Sequence, residues 1–223
     1  MPEIIKNLKK DIKIEFRNRS ALNLALAFAL ISTLTISLII GGVPLEPKKE
    51  AIILWLIIFF SAISSLAYTF IREEEKKTIL FLRLNFSAES VYFSKLIFNI
   101  FFFFIIQIIV AIFYVFFRQL EIQSLNLFIL GLLGGGLALA STITILGAMV
   151  AKANGQSSLL AVISFPLLLP VLWMAVSSTT KSLTPNPFSS NPVFYNEIYF
   201  LLAFSGIMIA GSFIFFKFIW SSQ

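Results

Sequence analysis

The chain contains no cysteine and no histidine. Those two absences exclude disulfides, thiolate metal sites, catalytic thiols and imidazole general bases. No Ser–His–acid triad can be assembled. No GxxxxGK[ST] loop occurs, which excludes nucleotide hydrolysis of that type. Charge is also scarce, at 13% of residues, against about 25% in ordinary soluble domains. Apolar residues fill the gap, at 58% of the chain with 26 phenylalanines, and they fall in runs of bilayer length. Glu46, Glu50, Glu121 and Glu197 are scattered, with no paired spacing that would serve acid–base catalysis. The expectation is a non-catalytic membrane protein whose energy, if it uses any, comes from a separate subunit.

Six apolar runs stand out: Ala21–Gly42, Ala51–Ile71, Leu96–Phe117, Leu125–Val150, Leu159–Val176 and Ile198–Trp220. Each is near the roughly 20 residues that a spanning helix needs. None alternates apolar and polar residues as a barrel strand would. The expected fold is all-α, a polytopic membrane protein with six transmembrane helices. An even count puts both termini on one side. Lys and Arg decide which: thirteen fall on the side of the termini, in residues 1–20, in the Arg72–Lys95 loop, at Lys152 and at Lys217, and four (Lys48, Lys49, Arg118 and Lys181) on the other side. Positive residues stay inside, so both termini and residues 72–95 are expected in the cytoplasm. The net charge of +6 is therefore an orientation signal, and no nucleic-acid partner is expected.

Residues 1–20 form the first division of the chain and 21–223 the membrane division. The first lacks the short apolar core and cleavage site of a signal peptide. At helical spacing Ile5, Leu8, Ile12 and Phe16 share a face, with Lys6, Lys9, Lys10, Lys13 and Arg17 on or beside the other. That pattern predicts an amphipathic helix lying on the membrane surface; a merely solvated helix is the alternative.

Within the spans, the glycine cluster GLLGGGLALAS holds a GxxxG at Gly131 and Gly135, continued by Gly136, Ala140 and Thr144. Small residues let helices pack closely in lipid, so Gly131 and Gly135 are assigned to helix packing. Gln107 is expected as polar glue between helices. Pro166 and Pro170 should bend or break the fifth helix, since proline removes a backbone donor and clashes with the preceding turn. Ionisable residues, the usual carriers of coupling ions, are missing from the span interiors, so an ion gradient is not expected to drive this chain.

The one substantial cytoplasmic loop reads IREEEKKTILFLRLN from Ile71 to Asn85. Glu73, Glu74 and Glu75 form an acidic patch. Thr78, Ile79, Leu80, Leu82, Arg83 and Leu84 form an apolar element with one cation, and Ser87 is placed to cap the next helix. An apolar element exposed between two helices is an interaction site or rests in lipid headgroups. On the first reading it is a short coupling helix that docks on a soluble partner, with the acidic patch and Arg83 as its charged rim.

Three segments together resemble heme exporter protein B, the permease-like membrane subunit of bacterial cytochrome c maturation. They are LKKDIKIEFRNRSALN, FIREEEKKTILFLRLNFSAESVYFSKLIFN and LGAMVAKANGQSSLLAVISFPLLLPVLWMAV, the last with its Pro-x-x-x-Pro at Pro166 and Pro170. The resemblance covers nearly the whole chain. It departs at EEEKKT, where the family usually has Asp and Gly, and at NFSAES, where the family often has Pro. It implies an ABC-2-like permease in the bacterial inner membrane. The implied partners are a cytoplasmic ABC ATPase, heme-handling membrane subunits, a heme chaperone and the lipid bilayer, with room for a second copy in a homodimer. It implies either heme export or release of the loaded heme chaperone. No stably bound cofactor is expected; heme enters as cargo transported or handled. The alternatives are an ABC-2-type export permease for a drug, lipid or polysaccharide, and a non-transporting scaffold.

Overall fold

The computed structural model describes residues 2–18, 20–41, 43–66, 73, 78, 82, 84–152, 157–185 and 195–221. Among the described residues the chain is all-α, with no strand. Its helices are α1 (Pro2–Asn18), α2 (Ser20–Ile40), α3 (Pro47–Leu66), α4 (Ala88–Arg118), α5 (Leu125–Lys152), α6 (Ser157–Leu183) and α7 (Asn196–Ser221). Among the described residues, four of them hold stretches long and apolar enough to cross a membrane: Leu22–Ile40, Ala88–Arg118, Leu125–Met149 and Asn196–Phe216.

The helix α4 starts ahead of the apolar run at Leu96 because Ser87 stops the chain there in an extended conformation (φ −68°, ψ 150°), its side chain accepting from Ser90 N. Glu89 then occupies the first turn, where the helix dipole favours a carboxylate. At the other end Gln119 takes a left-handed conformation (φ 51°), and its N–H closes back on the Val115 carbonyl.

The most enclosed span is α5, which packs against α6, α7, α4 and α3. Its glycines explain how. A Cβ on Gly131 would lie 2.6 Å from Ser178 Oγ of α6, and one on Gly134 would lie 3.3 Å from Leu201 of α7. One on Gly135 would strike the Trp55 ring of α3, and one on Gly136 the Gln107 side chain of α4. The cluster is not a single seam: its glycines face four different helices. Polar ties join the same layers. Gln107 donates to the Leu132 carbonyl at 3.0 Å, Asn99 to Thr144 Oγ1 at 2.9 Å, and Trp55 Nε1 to Thr179 Oγ1 at 2.8 Å.

Of the expected bend or break at the prolines, α6 shows no break: it is helical through both Pro166 and Pro170. Residues four apart share a face, so both missing donors fall on one stripe. That stripe is exposed, while Leu168, Val171 and Ala175 on the packed side are buried.

Hydrogen bonds and ion pairs fix which helix ends meet. At one end of the bundle Arg118 reaches Gly41, Val43 and Glu50, Ser182 accepts from the backbone N–H groups of Gln123 and Ser124, and Lys181 pairs with Glu197. This end is called distal. The opposite, proximal end carries α1 against the start of α4, and Phe216 and Phe213 of α7 against Tyr92 and Phe93.

Candidate functional site

The proximal end is built from a polar row on α1. Glu3, Asn7, Asp11 and Glu15 are spaced by four, so they form one stripe. Asn7, Asp11 and Glu15 of that stripe are buried, while Glu3 at its start is exposed. Glu3 Oε2 accepts from Ser90 Oγ at 3.0 Å and from Ser87 Oγ at 3.3 Å. Asn7 Nδ2 donates to Ser94 Oγ at 2.6 Å. Asp11 Oδ1 lies 3.2 Å from Lys95 Nζ, and Glu15 Oε1 accepts from Leu22 N at 3.3 Å. The partners on α4 rise along the helix in the same order, so α1 is zipped in parallel to the first turns of α4. Of the four apolar residues expected on the membrane face, Ile5 and Phe16 are exposed, while Leu8 and Ile12 are half-buried against the core. The inward polar row had a sequence signal that charge counting hid: the helix is basic, yet its three acids all fall on one i, i+4 stripe with Asn7.

The zipper continues into the loop through Lys95. Its side chain is 0% exposed. Its Nζ sits 2.8 Å from Glu73 Oε1 and 3.1 Å from Asp11 Oδ2. Lys10 Nζ adds a contact to the same Glu73 oxygen at 2.6 Å and to Asp11 at 3.4 Å. Two ammonium groups thus share two carboxylates, joining α1, the loop and α4. Burial pushes the Glu73 carboxyl up, but the Lys95 and Lys10 charges outweigh it and hold the group below its ordinary value. The Glu3 carboxyl is also lowered, first by the Ser90 hydroxyl and then by the Ser87 backbone N–H. Among the described residues no cluster of acids could hold a metal.

The loop residues expected to dock on a partner are placed unequally. Thr78 N donates to the Glu73 carbonyl at 3.0 Å, and the Thr78 carbonyl accepts from Leu82 N at 3.2 Å. Phe86 N donates to the Leu82 carbonyl at 2.9 Å. These bonds give the segment helical pairing, with Leu82, Leu84 and Asn85 in helical conformation. Leu84 is 87% exposed, but Leu82 is 1% exposed and belongs to the protein's own interior. Glu73 is likewise corrected from exposed rim to buried anchor, because two lysines draw it inward. Glu74, Glu75, Ile79, Leu80 and Arg83 lie outside the described residues.

The distal end holds a second buried ionic group. Arg118 Nη2 sits 2.6 Å from Glu50 Oε1, and Tyr114 OH donates to Glu50 Oε2 at 2.6 Å. Arg118 also donates to the carbonyls of Gly41 at 2.8 Å and Val43 at 3.0 Å. This arrangement clamps the α2–α3 connection onto the end of α4.

No curated protein matches the chain. A family model described as CcmB protein matches residues 3–209, from the first turn of α1 into the second half of α7. A helical bundle with membrane-length apolar helices and this near-complete match agree: the chain belongs to the CcmB family of heme exporter membrane subunits in cytochrome c maturation.

Proposed function

We propose that the chain is the transmembrane subunit of an ABC-type complex, coupling ATP hydrolysis by a cytoplasmic partner to heme export or to release of a loaded heme chaperone. In this reading α2 to α7 are six spans of an ABC-2-like permease in the inner membrane, with both termini and the zipper in the cytoplasm. Heme-handling membrane subunits and the chaperone complete the assembly, and a second copy forms a homodimer with the first. Heme enters this reading as cargo transported or handled: of the common axial ligands His, Met, Cys and Tyr, the chain offers only Met and Tyr.

The observation that carries the reading is the mounting of the proximal loop. Glu73 at its base is fixed to both α1 and α4. Leu82 near its end is buried, while Leu84 beside it stands clear. An apolar contact held on a braced support can transmit a partner's movement to α4 and α1 together. Leu84→Asp tests it, because an exposed position spares the fold. Burying one leucine contributes about 1.5–3 kcal/mol, so co-purification of the ATPase should fall about tenfold to a hundredfold. Retention at the wild-type level would reject docking at this position. A Leu82→Asp variant would instead damage the interior and say nothing of the partner.

Orientation has its own test in this cysteine-free chain. Leu84→Cys should label only from the cytoplasm and Thr184→Cys only from outside, both positions being exposed. Labelling of both from the same side would overturn the topology. Ser182, although in the same distal region as Thr184, is buried and unsuitable.

A further inference from the structure

A cavity of about 470 Å³ lies between α3 and α6 and opens at the distal end. Its lower walls are apolar and aromatic, with Trp55, Phe59, Leu169 and Trp173 among them, and its mouth carries Lys48 and Lys181. The volume is in the range of about 300–1,000 Å³ typical of small-molecule sites. Trp55 is buried and fixed by its bond to Thr179, whereas Trp173 is 71% exposed, so the cavity is open along its side. From Lys181 down to Leu169 the helix rises about 18 Å. That is close to half the roughly 30 Å hydrocarbon thickness of a bilayer. With α3 and α6 as spans, as in the six-span reading proposed above on which this rests, the cavity is about one leaflet deep, apolar where acyl chains lie, and cationic where headgroups lie.

The two lysines differ. Lys181 is held at 2.8 Å by Glu197, which fixes its position at the mouth. Lys48 has no ion pair among the described residues; the neighbouring Lys49 pairs with Glu46 instead. A cation at the top of an apolar, laterally open groove matches an anionic amphiphile.

We propose that the α3–α6 groove is a site for one anionic phospholipid of the distal leaflet, its acyl chain against the exposed Leu56, Phe60, Leu169 and Trp173 and its phosphate at Lys48 beside Lys181. The depth of the groove and its side opening favour a lipid, which can enter from the bilayer without leaving it. The bound chain fills space that would otherwise leave the α3 and α6 surfaces poorly packed.

The test is native mass spectrometry of the full-length purified chain after exchange into phosphatidylglycerol or phosphatidylcholine with identical acyl chains. The wild type should retain one phosphatidylglycerol in preference to phosphatidylcholine. Lys48→Gln should lower retention of the anionic lipid about fivefold and leave the zwitterionic lipid unchanged. Lys49→Gln, one residue away and paired with Glu46, should change neither. A wild type that does not distinguish the headgroups, or a Lys48→Gln chain that retains phosphatidylglycerol as before, overturns the proposal. So does displacement of the lipid by a dicarboxylic tetrapyrrole added at equal concentration, which would assign the groove to a planar dicarboxylate. These readings need no ATPase, so they stand or fall separately from the coupling role.

Discussion

The helix α4 carries a buried cation near each end, and the two are housed in opposite ways. Lys95 and Arg118 are about 34 Å apart along the helix, comparable with the thickness of a hydrocarbon core, so each sits near one face of the membrane. At the distal face a single guanidinium is held by one carboxylate and two backbone carbonyls. The carboxylate is itself held by Tyr114. A planar fork of this kind has one good arrangement. At the proximal face two ammonium groups share two carboxylates at 2.6 to 3.4 Å. An ammonium has rotatable donors and no preferred plane. The network is also less completely satisfied: among the described residues the buried Asn7 Oδ1 completes no hydrogen bond, and Asp11 Oδ2 has only its ion-pair contact with Lys95 at 3.1 Å. The same pairing of charges thus yields a rigid clip at one end and an adjustable joint at the other. The joint is at the end where the loop proposed to couple to the ATPase attaches.

The largest expected effect comes from breaking the clip. Arg118→Met leaves Glu50 charged and buried and removes the donors to Gly41 and Val43. Removing one partner of a buried pair costs about 3–5 kcal/mol, or on the order of 10 °C in the unfolding midpoint for a chain of this size. Arg118→Lys keeps the charge but not the fork, and should fall between the two. A midpoint for Arg118→Met equal to that of the wild type would deny the clip its structural role.

The corresponding change at the joint should cost less stability and more coupling. In Lys95→Met, Glu73 and Asp11 both retain Lys10. The expected loss is about 1–3 kcal/mol, read as a smaller drop in the midpoint. Partner-dependent transport or chaperone release should fall further than the midpoint does, because α1, the loop and α4 no longer move as one. Adding Asp11→Asn leaves Lys10 with one carboxylate to serve instead of two and should restore part of the stability but not the coupling. If Lys95→Met proves as destabilising as Arg118→Met, the two ends are equally rigid and the contrast fails.

The positions of the helices were legible in the sequence because lipid demands long apolar runs, and α2 to α7 fall on those runs. The ionic ends were not. Spacing shows that Lys95 and Arg118 flank a span, but Asp11 is 84 residues from Lys95 and Glu50 is 68 residues from Arg118. Only the folded bundle pairs them. The glycine cluster was legible as close packing but not as contact with four helices, since GxxxG describes one face. Leu82 and Leu84 look alike in a string of apolar residues; they differ because one side chain of a short helical turn points into the protein. The prolines signalled an interruption because the rule concerns lost donors, and it does not say that both losses fall on an exposed stripe.

The smallest effect sharpens the contrast by pH. Glu73 is ionised in the folded chain more readily than in the unfolded one, because the Lys95 and Lys10 charges outweigh the burial that opposes them. A lowered folded pKa means that the unfolded chain binds more protons as the pH drops. The contribution of Glu73 to stability is therefore fully present above the ordinary carboxyl value of 4.5 and is lost as pH falls through the lower folded value. Unfolding midpoints of the wild type and Glu73→Gln, compared from pH 6 to pH 3 (an acid range spanning the usual carboxylate value of about 4.3), should converge at the acid end. The convergence should be modest, since acid protonates one member of a network that retains two lysines. Parallel curves over the whole range would show that Glu73 does not act as an ion in the joint, and would move the adjustable element from the charges to the packing of α1 on α4.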